Sequence, residues 1–335
     1  MRKTMFSAAL LLAAFLCLTA GPARAQGMVT LVFDDGLASV YDNALPILEK
    51  NGLPAVTALI AENVRWPHGG YMTKEQALDL QKRGWEIASH SIHHIGPKMI
   101  PLRLEDEPLT LKPVKVQGVT VYRAPYAYSD CVAVFLDDLP LAPMGSIQEM
   151  LTTGGAFFHD KQAKTLTVLP RFDPGARSLT VKVGSYEREL RDSRDELRGH
   201  GLDVSAFVAP FSQWTPESRN LSTRYYTLAA SLGDGVNEPA PAGSGVIRRN
   251  EAYDLHNLER YSVRAGASLE ELQELIRQHA MVEEDWVVLC LHGIGADAYE
   301  PISEKKLAAL ADWLRANRVS VVTLSQGALL LGLGR

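Results

Sequence analysis

Short apolar runs alternate with stretches of helical period from residue 29 onward, and three of the runs stop at polar clusters able to bind a metal or move a proton. Leu31-Val32-Phe33 reads as the end of a buried strand and halts at Asp34-Asp35-Gly36. Helical spacing follows over 37–51 through Val40, Ala44, Ile47 and Leu48, closed by Gly52. A second buried strand is expected over 54–60. Thr73-Lys74-Glu75-Gln76 is a capping box, so a helix runs from there to about Arg83. A third strand, 85–88, ends at Ser89-His90-Ser91-Ile92-His93-His94. Strands and helices alternating at these lengths predict an α/β chain with a mostly parallel sheet or barrel, whose functional groups gather at the C-terminal ends of the strands.

That rhythm breaks between residues 96 and 184, where β-rich pieces at 114–122, 131–136 and 165–169 are separated by Pro and Gly, the pattern of an inserted β subdomain. It resumes with a charged helix over 185–199 carrying Leu190 and Leu197 on one side. Strands are expected at 203–209, ending in Pro210-Phe211, and at 225–230. Residues 233–245 form a Gly/Pro-rich loop. Ser268-Leu269-Glu270-Glu271 caps a helix to about Met281, the apolar run 286–291 delivers His292, and a helix over 303–317 precedes a final strand at 319–324.

The first residues describe a secretory leader: Arg2 and Lys3, an apolar middle, then Ala23-Arg24-Ala25 as a cleavage pattern, with export to the periplasm or the exterior implied. No later segment is long and apolar enough to span a bilayer. A formal charge of −5 and the lack of any Lys/Arg cluster argue against a nucleic-acid partner. Beyond the leader only Cys131 and Cys290 remain; an oxidising compartment permits a disulfide between them, but Cys290, inside an apolar run, reads as a small core residue.

Asp-Asp-Gly after a strand is ordinary turn chemistry when it stands alone, but the turn also lets the two carboxylates reach one cavity by different routes. His90 and His94 are four apart, a separation at which two imidazoles converge on one ion if the segment turns helically. With Asp35 they make a two-His, one-carboxylate set that leaves coordination positions open, as in catalytic zinc centres. His93 competes with His94 by position. His159, His200, His256 and His279 are expected at the surface or in packing. Trp214 suits either a sugar face or the core.

These clusters, in this order, resemble the polysaccharide deacetylase, or NodB-homology, family. Phe33-Asp34-Asp35-Gly36 matches its first motif, His90-Ser91-Ile92-His93-His94 its second, and Leu289-Cys290-Leu291-His292 its last. The resemblance implies a distorted (β/α) barrel over 26–95 and 185–335, with 96–184 as the inserted β-rich subdomain. It implies a hydrolase that removes N-acetyl groups, or alternatively O-acetyl groups, from a polysaccharide or cell-wall glycan. Asp34 then stands as general base, Asp35, His90 and His94 as ligands of a divalent metal (Zn²⁺ first, with Co²⁺, Ni²⁺ or Mn²⁺ as alternatives), and His292 as general acid. The backbone N–H of Phe211, after Pro210, is the implied oxyanion donor.

The third motif departs from the family. Phe207-Val208-Ala209-Pro210-Phe211 lacks the arginine that would orient Asp34. Arg123-Ala124-Pro125-Tyr126 matches the motif literally but falls inside the β-rich insertion, and Arg260 is the other candidate cation. No convincing fourth motif is present; Asp254 is the weak candidate for a carboxylate that tunes His292. The missing arginine also keeps open a catalytically silent glycan-binding protein.

Overall fold

Met28–Phe33 is buried at every residue and forms one stave of a closed ring of parallel strands. The computed structural model describes residues 27–103, 108–175, 177–231, 245–248, 254–295 and 298–332; the expected leader and most of the Gly/Pro-rich loop lie outside them. From Met28–Phe33 the ring passes to Val56–Leu59, Glu86–Ser89, Val204–Val208 and Leu228–Ser231. The next stave is split: Leu258–Glu259 pairs back to Leu228–Ser231, whereas Tyr261–Ser262 pairs forward to Trp286–Leu291, which closes on Met28–Phe33. The result is a distorted α/β barrel sealed at the residue between those two short pieces, Arg260.

Period-two alternation sorts the side chains. Val32, Ala58, Ala88, Ala206, Val208, Ala230, Leu258 and Val288 fill the interior, small residues dominating because a narrow barrel leaves little room. Leu31, Phe33, Ile87, Phe207, Leu289 and Leu291 face outward into a second core shared with Leu190, Leu197, Leu272, Leu307 and Leu310 of the covering helices. The interior phase continues past the strand ends. Two residues beyond Val32, Ala88, Val208, Leu258 and Cys290 stand Asp34, His90, Pro210, Arg260 and His292.

Residues 109–183 form a separate eight-stranded sheet with its own apolar clusters around Leu111, Tyr122, Leu166 and Val181, and around Val121 and Met150. The expected single strand at 114–122 is instead a hairpin: Leu109–Val116 and Val119–Pro125 pair antiparallel around Gln117-Gly118, both at positive φ. The final strand is also shorter than expected. Only Ser320–Val321 pairs with the barrel, because Thr323 and Gln326 form a capping box that starts the Leu324–Leu330 helix. No described helix is long and apolar enough to cross a membrane. Cys131 and Cys290 are both free thiols.

Candidate metal centre and active site

Three turns meet at the C-terminal mouth of the barrel. Asp35 and Gly36 both adopt positive φ directly after the first strand, as do Ser91 and His94 after the third, so the chain turns sharply at the residues that carry the chemistry. The Asp35 Oδ1 atom stands 3.4 Å from His90 Nε2 and 3.3 Å from His94 Nε2. One donor atom from each of the three lies within 4.8 Å of the other two, a convergence that fits a single divalent cation. His90 Nδ1 donates to the Val208 carbonyl at 2.7 Å, which orients the ring and leaves Nε2 free to bind.

Burial works to raise the Asp35 pKa, but the hydrogen bond and charge of His90, with the charge of His94, hold it at about 2. Burial and the charge of His90 push His94 down to about 4, so its lone pair is available at neutral pH. A cleft of about 330 Å³, lined by Ile60, Glu62, Asn63 and Tyr71 together with Asp35, His93 and His94, opens beside the trio.

Asp34 lies just inside, almost wholly buried. Arg260 Nη1 donates to both of its carboxylate oxygens, at 2.7 and 2.8 Å. Burial acts to raise the Asp34 pKa; Arg260, with smaller help from His90 and His292, overcomes it and leaves the group below the ordinary value. Cys290 Sγ adds a weak contact to Asp34 Oδ2 at 3.6 Å. Asp34, Cys290 and His292 also approach within 4.8 Å of one another through one atom each. Arg260 has no solvent exposure, yet its Nε and Nη2 have no acceptor among the described residues. Stability alone would not select a buried guanidinium with idle donors, because its desolvation is only partly offset.

The other expected residues divide. Pro210 and Phe211 sit in the Pro210–Ser212 turn at the mouth, Phe211 at positive φ, with its ring 4.4 Å from that of His94 and its N–H in a first turn that leaves backbone donors unpaired. Arg123 is not at the site: its Nε bonds Thr167 Oγ1 across the inserted sheet, and Arg260 holds Asp34 instead. Trp214 is a correction as well. It is 2% exposed, stacks on Phe207 with ring centroids 5.6 Å apart and donates Nε1–H to the His256 carbonyl, so no ring face remains for a sugar. Asp254 accepts from the His256 N–H and lies near Arg219, and His292 Nδ1 has no partner among the described residues.

His93 is not a member of the trio. Its Nδ1 bonds Glu189 Oε1 at 2.7 Å, while Glu189 Oε2 accepts from the backbone N–H groups of Ile92 and His93. Glu189, 1% exposed on the Tyr186–Gly199 helix, therefore clamps the loop carrying His90 and His94. Sequence reasoning missed it, although a signal exists. Tyr186, Glu189, Leu190, Ser193 and Leu197 share the buried stripe at helical spacing.

Residues 22–132 match the family model described as polysaccharide deacetylase. The putative polysaccharide deacetylase YxkH of Bacillus subtilis (strain 168) is 33% identical over 82 residues, which cover 24% of this chain and 29% of that protein. Solved structures similar to this chain include the Xyl-CE4 domain of a multidomain xylanase from the hindgut metagenome of Trinervitermes trinervoides. It is 14% identical at a TM-score of 0.45, with 92% of each chain covered. The peptidoglycan deacetylase PdaC from Bacillus subtilis is 12% identical, with a TM-score of 0.44 and 91% of each chain covered. A family 4 carbohydrate esterase from Streptomyces lividans, in complex with acetate, is 12% identical with a TM-score of 0.44, over 90% of this chain and 95% of that one.

Proposed function

We propose that this chain is an exported, metal-dependent deacetylase that hydrolyses N-acetyl, or alternatively O-acetyl, groups of a polysaccharide or cell-wall glycan. The observation that carries the reading is one mouth shared by a cation-sized donor trio, Asp35, His90 and His94, and an arginine-held carboxylate, Asp34. The ligand set suits Zn²⁺ best, with Co²⁺, Ni²⁺ and Mn²⁺ as alternatives.

A divalent cation bound by the trio supplies Lewis acidity and lowers the pKa of its water. Asp34, kept ionised and aimed by Arg260, accepts a proton from the attacking water. The Phe211 N–H donates to the oxygen that gains charge at the acyl carbon. His292 delivers a proton to the departing amine or alkoxide. Phe211 also packs its ring against that of His94 on the metal side of the mouth.

The catalytically silent alternative was motivated by the missing arginine of the third motif, and Arg260 weakens that ground. One observation still favours it: no carboxylate partner for His292 Nδ1 is found among the described residues. The discriminating experiment is acetate release from chito-oligosaccharides, poly-N-acetylglucosamine, peptidoglycan and acetylated exopolysaccharide, by chelated and metal-restored protein. Release that returns with metal supports the deacetylase. Glycan binding with no release at saturating metal supports the silent reading.

A further inference from the structure

Tyr299 is 70% exposed, and its ring packs perpendicular to His292 with the centroids 5.1 Å apart. Among the described residues near it, Ile302 N–H donates to the Gly293 carbonyl at 3.2 Å and Ile294 N–H to Ser39 Oγ at 3.0 Å. A Cβ on Gly293 would fall 2.6 Å from that of Ala298 and 2.8 Å from Leu37 Cδ1, so only glycine lets Ala298, next to Tyr299, approach this closely. Glu300, next to Tyr299, accepts from the Ala265 N–H at 2.6 Å and holds the loop from its other side. These contacts hold backbone on both sides of Tyr299, whose ring stands beside the proposed acid. On the metal side of the same mouth, Phe211 is 55% exposed against His94.

We propose that Tyr299 is a substrate-binding residue that stacks on a pyranose ring of the glycan next to the acetylated unit and thereby sets the preference for oligomeric over small acetylated substrates. Aromatic rings with a polar tip suit such a place, because the apolar ring covers the C–H face of a sugar while the hydroxyl stays wet. The proposal uses the deacetylase reading to locate the cleft, but sugar stacking does not need turnover and is measured separately.

The experiment compares wild type with Tyr299→Ala, Tyr299→Phe and Tyr299→Trp in metal-loaded protein. It uses acetate release from chitotetraose and from 4-nitrophenyl acetate, together with calorimetric binding of chitotetraose. Tyr299→Ala is expected to raise KM and Kd for chitotetraose about tenfold, with kcat falling less than KM rises; Tyr299→Phe and Tyr299→Trp keep wild-type affinity within about twofold. The small ester should lose far less than the tetramer. Equal losses on both substrates, carried by kcat, would show that Tyr299 only braces His292 and would overturn the proposal, as would unchanged tetramer affinity or no tetramer binding by wild type. Wild-type protein that binds the tetramer without releasing acetate contradicts the deacetylase reading alone, and the Kd comparison then decides the role of Tyr299.

Discussion

Arg260 reaches Asp34 from two staves away in the barrel, and one terminal nitrogen donates to both carboxylate oxygens at 2.7 and 2.8 Å. The guanidinium sits where the split stave changes partner, so the residue that seals the ring also faces the proposed base. The expectation that Arg260 supplies a cation to Asp34 from another strand end agrees with this contact.

Replacing Arg260 with Met keeps an apolar stem in the barrel but leaves a buried carboxylate without its cation, a change that costs about 3–5 kcal/mol. A lower Tm is therefore expected. The pH dependence is the more specific test. Burial works to raise the Asp34 pKa and Arg260 is the chief group opposing it, so without the guanidinium the pKa rises and the base is protonated at higher pH. The acid limb of kcat/KM should move upward. A limb that stays in place while activity falls would assign Arg260 a purely structural role.

Glu189→Ala leaves the N–H groups of Ile92 and His93 without their acceptor, at a cost of about 1–3 kcal/mol for each buried donor. The loop bearing His90 and His94 loses its clamp. Cation affinity, followed by competition with a chelating dye, should fall about 10–100-fold, the range for groups that orient ligands. Glu189→Gln, which still offers one oxygen, should lose less. Undiminished affinity in the alanine variant would remove Glu189 from the site.

Trp214 separates a core role from a sugar-binding one. Trp214→Phe deletes the donor to the His256 carbonyl and part of the packing on Phe207, so Tm should drop by several degrees, an effect of about 1–2 kcal/mol. KM for any glycan should not change. A raised KM at unchanged Tm would return Trp214 to the cleft.

Much of the candidate site was legible at the ends of apolar runs, where the motifs that carry the family resemblance fall. Asp34, His90 and His292 each follow an apolar run in the interior phase, and short-range spacing added Asp35 and His94. Glu189 was hidden by its neighbours, since a glutamate among Arg188, Arg191 and Asp192 reads as part of a solvated face until the buried stripe is drawn. The split stave was invisible for another reason. Leu258–Glu259 and Tyr261–Ser262 are too short to show a period, so barrel closure depends on pairings far apart in the chain, although Arg260 itself stood out as a candidate cation at a strand end. In the insertion, the tight turn at Gln117-Gly118 was absorbed into one apparent strand because Val114, Val116, Val119 and Val121 continue across it.

The most direct measurement is acetate release during titration of metal-free protein with Zn²⁺, run in parallel on wild type and Asp34→Asn with bound zinc counted in both. One equivalent of zinc should bring wild type to full activity, while Asp34→Asn binds the same equivalent and stays at least about a hundredfold slower, the scale of a lost general base. Acetate release that ignores zinc, or an Asp34→Asn protein as active as wild type, would contradict a cation held by Asp35, His90 and His94 working with Asp34 as base.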